Sequence, residues 1–173
     1  MFTSGDYVVC GNNGICKVQD ITTLDISGID KTRKYYILKP VFASGSTVYI
    51  PVDTADEALR RAMTKDEAHA FIGSIPDAPL IPLTDEKTLE KTYKEYIHKN
   101  SSEGWLKLIK TIYLRKEKRL SDGHKVTAVD SRYFKLAEDF LYGELSVALD
   151  MSKDEVREYI INTMNAGFTA DAK

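Results

Sequence analysis

Lys34-Tyr35-Tyr36-Ile37-Leu38-Lys39-Pro40 is followed by Ser46-Thr47-Val48-Tyr49-Ile50-Pro51, two β-rich runs each stopped by a proline. Aromatic and β-branched side chains suit a pleated, half-buried surface, and proline withholds the N–H that a continuing ladder needs. Reading outward toward the N-terminus, Tyr7-Val8-Val9-Cys10 is a third run. Gly11-Asn12-Asn13-Gly14 follows it, with an Asn-Gly pair able to adopt the positive φ of a tight hairpin. Ile15, Val18 and Ile21 mark another run that ends near Ser27-Gly28. Four or five short strands with a turn signal every dozen residues predict a small, strongly bent antiparallel sheet or barrel over residues 1–55. So short a module has a thin core and leaves a sheet edge exposed.

From Asp56 onward the hydrophobic period becomes helical. Thr64-Lys65-Asp66-Glu67, Thr127-Ala128-Val129-Asp130 and Ser152-Lys153-Asp154-Glu155 read as capping boxes, each opening a helix. Pro76, Pro79 and Pro82 mark a linker or rigid turn over residues 76–82. A helix is expected from about Asp85 to Lys99. Trp105, Leu108, Ile109, Ile112 and Tyr113 then follow the i, i+3, i+4, i+7, i+8 spacing of a strongly amphipathic helix. Residues 56–166 are thus predicted as an all-α bundle, residues 167–173 as a frayed tail, and the fold class as α+β.

The chain has 173 residues, 43% of them apolar and 29% charged, enough to bury a core and too apolar for a disordered chain. No run of apolar residues is long enough for a membrane span. Met1-Phe2-Thr3-Ser4-Gly5-Asp6 lacks the basic and apolar regions of a signal peptide, so a cytoplasmic protein is expected. The cysteines, Cys10 and Cys16, cannot form a disulfide framework, and the three histidines have no zinc-ligand spacing. The phosphate-loop, dinucleotide, nucleophile-elbow and zinc-protease motifs are all missing. The reading is therefore of a non-enzymatic protein without metal or cofactor. An unrecognised enzyme would have to declare itself through a pocket of convergent titratable groups.

Binding remains. The formal net charge of −2 hides a gradient: residues 101–135 hold nine Lys and Arg against four Asp and Glu, whereas residues 136–173 hold three against eight. The basic stretch includes Lys107, Lys110, Arg115, Lys116, Lys118, Arg119, Lys125, Arg132 and Lys135. Such a run either grips phosphates in a sequence-tolerant way or forms a solvated helix face with acidic neighbours against it. Trp105, at an apolar helix position, reads as a core residue rather than a base-stacking wedge.

The chain resembles the CarD/CdnL family of bacterial transcription regulators. In the β region the matching residues are Phe2-x-x-Gly5-Asp6-x-Val8-Val9, Asn13-Gly14-x-Cys16-x-Val18 with Ile21, and the two Pro-terminated runs quoted above. In the helical region they are Thr92-Tyr93-Lys94, Leu108-Ile109-Lys110-Thr111-Ile112-Tyr113, Leu120-Ser121 and Lys135-x-Ala137-Glu138-x-x-Leu141-Tyr142-x-Glu144-Leu145. The resemblance covers about residues 1–160, in order. It implies a Tudor-like N-terminal module, shared with the transcription–repair coupling factor, that docks sheet to sheet on the β-subunit lobe of RNA polymerase. The matching docking strand is Thr47-Val48-Tyr49-Ile50, where some members have an Arg at the position of Tyr49.

The resemblance further implies a helical domain that contacts promoter DNA at the upstream edge of the transcription bubble. Family members use a Trp wedge there. In this chain the wedge position falls at or near Leu89, with no Trp between Pro79 and Tyr93. Lys91, Lys94, Arg115, Lys116 and Lys125 match the family's basic contacts, and Lys118 and Arg119 extend the run. The expectation is a monomeric regulator of open-complex stability. A polymerase- or protein-docking adaptor without direct DNA contact is the competing reading, favoured by the missing Trp and the acidic C-terminal segment.

Overall fold

The computed structural model describes residues 1–83 and 85–171, with side chains to Thr163. The chain divides into two compact units, Met1–Ala62 and Met63–Lys173, and the fold is α+β.

In the first unit, β1 (Tyr7–Cys10), β2 (Gly14–Thr23), β3 (Lys34–Pro40), β4 (Val48–Pro51) and β5 (Leu59–Arg61) form one curled antiparallel sheet in the order β4-β3-β2-β1-β5. Between β4 and β5 lie a 3-10 turn (Val52–Thr54) and the short α1 (Ala55–Ala58). The β1–β2 connection is a tight hairpin in which the Asn-Gly pair supplies one positive φ. Cys10 pairs with Gly14 across a three-residue loop, the Asn13 N–H donates to the Cys10 carbonyl (2.8 Å), and only Gly14 takes a positive φ, of 67°. A type I turn closed by a left-handed glycine is the next most favoured hairpin connection, and it needs no positive φ at Asn13.

The long β2 carries a bulge. Val18 opposes Leu38 and Asp20 opposes Ile37, so Gln19 is the extra residue. The bulge shifts the alternation by one, letting Ile21 join Cys16 and Val18 on the core face. There they meet Val8, Tyr36, Leu38 and Leu59. The Phe2 ring lies edge-on to Tyr36 at 5.8 Å, and its backbone N–H donates to the Tyr36 hydroxyl. β5 lies beyond the module boundary expected at residue 55. It is three residues long with two arginines, and its strand character comes from pairing Leu59 to Cys10 and Arg61 to Val8 rather than from local propensity.

The second unit contains α2 (Lys65–Gly73), α3 (Leu89–His98), α4 (Ser102–Ser121), α5 (Ala128–Leu149) and α6 (Lys153–Asp171), with 3-10 turns at Ile75–Asp77 and Glu86–Thr88. The helix expected from Asp85 therefore begins as a 3-10 turn. α6 runs past residue 166, and the last two residues of the expected frayed tail lie outside the described residues. Trp105, Leu108 and Ile112 of α4 and Leu141 and Leu145 of α5 are fully buried. The Trp105 indole N–H donates to the Ile97 carbonyl, and its ring meets Phe140 at 5.3 Å, so it is a core residue.

The boxes at Thr64–Glu67 and Ser152–Glu155 are closed in both directions. The third is closed in one only. The Thr127 hydroxyl accepts from the Asp130 N–H at 3.1 Å, while the Asp130 carboxylate turns inward to other partners.

Candidate docking strand and basic helical surface

β4 lies at the end of the sheet order, paired on one side with β3 in the register Tyr35–Pro51, Tyr36–Ile50, Ile37–Tyr49 and Leu38–Val48. Among the described residues no strand pairs with its other side. The period of two divides its side chains: Val48 and Ile50 pack against the core, while Tyr49 turns outward and is 42% exposed. Thr47 precedes the strand, and its hydroxyl accepts from the Lys39 ammonium at 2.6 Å. Pro51 ends the edge by removing a donor. Of the four residues expected to dock, three are thus in the edge strand and Thr47 braces its entry.

The Arg33 guanidinium holds Asp53, just after β4, in a bidentate pair with contacts of 2.7–3.0 Å. Each partner stabilises the other's charge: the hydrogen bonds from Arg33 lower the Asp53 carboxyl below its ordinary range. The pair fastens the exit of β4 to the loop before β3. It was not anticipated, because its partners are twenty residues apart with no motif joining them.

In the helical unit the expected DNA-contacting residues separate into distinct environments. Arg115 is a clasp. Its Nε donates to Asp130 at 2.8 Å and its terminal nitrogens meet the Glu86 carboxylate at 2.7 and 2.9 Å, leaving the side chain 19% exposed. Asp130 is fully buried and also accepts from the Tyr93 hydroxyl at 2.8 Å. Hydrogen bonding to Glu86 leads the causes that push Arg115 above its ordinary value. Burial, then the bond to Asp130, pushes the Tyr93 phenol well above its own. Arg115, expected among the DNA-contacting residues, thus has a partner inside the unit for each of its three guanidinium nitrogens.

Leu89, expected at the wedge position, opens α3 and is buried, at 6% exposed. Lys91 and Lys94 lie exposed on α3, the latter 3.9 Å from Glu90. Glu90 also accepts from Arg132 and from the Tyr133 hydroxyl. The Lys116 ammonium stands 4.2 Å over the Phe134 ring. Lys118 is exposed in the last turn of α4, and the Arg119 Nε donates to the Lys125 carbonyl at 2.9 Å. Lys118, Arg119 and Lys125 therefore gather at the C-terminal end of α4, where the helix dipole also favours positive charge. Lys110 holds the 3-10 turn at Ile75–Asp77 by donating to the carbonyls of Ile75, Pro76 and Ala78 at 2.7–3.2 Å.

Burial, reinforced by the neighbouring Cys10, pushes the Cys16 thiol up to about 12, which suits an inert core thiol. Among the described residues no helix is long and apolar enough to cross a membrane, and no three His, Cys, Asp or Glu side chains gather to hold a metal.

The sheet ends in two short edge strands, β4 and β5, and β4 carries an outward tyrosine and a proline stop. Residues 2–63 match the family model of the CarD-like/TRCF RID domain. A domain of this kind marks RNA polymerase as the partner and transcription as the process. No curated protein matches the chain.

Proposed function

We propose that the chain is a transcription regulator that adds its β4 edge to the β-subunit lobe of RNA polymerase and contacts promoter DNA near the upstream edge of the bubble. It thereby modulates open-complex stability, as a cytoplasmic monomer without catalysis or cofactor. The observation that carries this reading is β4 itself, an edge strand with an exposed Tyr49 inside the matched domain. Main-chain pairing would set the register, and Tyr49 would supply the side-chain contact.

The DNA contact rests on Lys118, Arg119 and Lys125 at the end of α4, with Lys116, Lys91 and Lys94 as further cations. Contacts of this kind go to phosphates and carry no base code. Tethering to polymerase raises the local concentration of DNA, so isolated affinity need not be high. The buried Leu89 and the engaged Arg115 favour the second reading, a polymerase-docking adaptor that leaves DNA untouched.

The two readings are separated by the lifetime of open complexes at rising salt. If the helical unit grips DNA, the triple variant K118E/R119E/K125E loses the wild-type effect on lifetime while retaining polymerase binding, and the wild-type effect falls with salt. An undiminished effect in the folded triple variant selects the adaptor.

A further inference from the structure

Beyond the docking strand and the basic surface, the helical unit holds a cavity of about 510 Å³ lined by α4, α5, α6 and Ile75. Its floor is buried and aliphatic, built from Ile75, Leu106, Leu141 and Ile160. Its rim carries Tyr113, Leu114 and Ile161, each about half exposed. Large side chains left this open around a concave apolar floor gain little from folding alone, and the volume lies in the range that encloses a small ligand. Four elements contribute to the lining, which makes a pocket rather than a two-helix groove.

The polar groups are few and confined. Lys110 lines the cavity, but its ammonium is engaged by the three carbonyls of the 3-10 turn. Glu138 and Arg157 form the other charged part of the wall, 3.6 Å apart. That separation is an ion contact without a hydrogen bond. Among the described residues the Arg157 guanidinium otherwise meets only the Tyr142 ring, at 5.7 Å, so its planar fork of donors is available. Glu138 is held in the wall by Tyr142, and burial pushes its carboxyl above the ordinary value. Two cations against one anion line the space.

We propose that this pocket binds a small amphipathic carboxylate, its hydrocarbon body on the floor formed by Leu106, Leu141 and Ile160 and its carboxylate on Arg157. An Arg fork accepts a carboxylate in two parallel hydrogen bonds, which a quaternary ammonium or an alcohol cannot reproduce. The proposal does not depend on the polymerase reading.

The test is calorimetric titration of the full chain with laurate below its micelle concentration, alongside dodecanol and dodecyltrimethylammonium. The expected result is saturable one-to-one binding of laurate, weakened about tenfold by R157Q, a difference of about 1.4 kcal/mol. Dodecanol binding is expected to be the same in wild type and R157Q. L114W and I161W each fill the rim from a half-exposed position, and whichever folds is expected to lose laurate. Absence of saturable laurate binding overturns the pocket as a small-ligand site and leaves the face to a macromolecule. Dodecyltrimethylammonium binding as tightly as laurate overturns the assignment of Arg157, and unchanged binding in a folded rim variant overturns the location.

Discussion

Asp130 shows how one residue can serve several elements. Its backbone N–H completes the cap of α5, and its carboxylate joins Tyr93 of α3 to Arg115 of α4. Asp130→Ala removes the anion from a buried site and leaves Arg115 with Glu86 alone. A loss of about 3 kcal/mol is expected, read as a lowered urea midpoint without a change in slope. The basic run was legible in the sequence as charge, but not which of its members were free. Arg115 and Lys118 are three positions apart on one helix, and only the fold shows that the first faces Asp130 and Glu86 while the second faces solvent.

Cys16 gives a prediction of the opposite sign from a surface carboxylate. Its folded value is raised to about 12 by burial first and by Cys10 second, whereas an unfolded thiol titrates near ~8.5. Above that value the unfolded chain loses the proton first and the native chain binds more protons. The contribution is therefore fully present below ~8.5 and is lost as pH rises toward the folded value. Urea midpoints are expected to fall between pH 8.5 and 10 in wild type and to fall less in Cys16→Ala, compared within each protein. A slope identical in the two would exclude the thiol as the source.

At the scale of elements, local signals were the legible ones. β1, β3 and β4 follow from short β-rich runs with glycine or proline punctuation, and two of three capping boxes form as read. The third shows the limit: Thr127 caps, but Asp130 is drawn inward by partners distant in sequence. Thr127→Ala removes one accepted hydrogen bond at the start of α5 and is expected to cost about 1 kcal/mol, with Thr127→Ser retaining most of it. Thermal unfolding of the two variants side by side checks this. β5 escaped the reading because nothing in Leu59-Arg60-Arg61 demands a strand; β1 supplies the ladder. The Gln19 bulge escaped because it appears only when the register of β2 against β3 is known.

At the scale of the whole molecule, the two units carry different kinds of information. The N-terminal unit matches the CarD-like/TRCF RID domain over residues 2–63, which span all five strands of its sheet. The helical unit has an apolar core around Trp105 and a cluster of cations where α4 ends. Leu89, at the wedge position that the family resemblance implies, is buried. A regulator of the kind proposed above would rely on polymerase docking and phosphate contacts rather than on opening a base step. Its hold on promoter complexes is therefore expected to be more salt-sensitive than one anchored by an inserted ring.

The most direct measurement is binding of the full chain to its cognate RNA polymerase, with and without promoter DNA, in parallel with Tyr49→Asp. Tyr49 is exposed at the edge strand, so the variant is expected to keep the fold, checked by its thermal transition. The account predicts saturable binding to polymerase, strengthened by promoter DNA, that Tyr49→Asp weakens by at least about tenfold, or ~1.4 kcal/mol. A folded Tyr49→Asp variant that binds as tightly as wild type would contradict docking through β4.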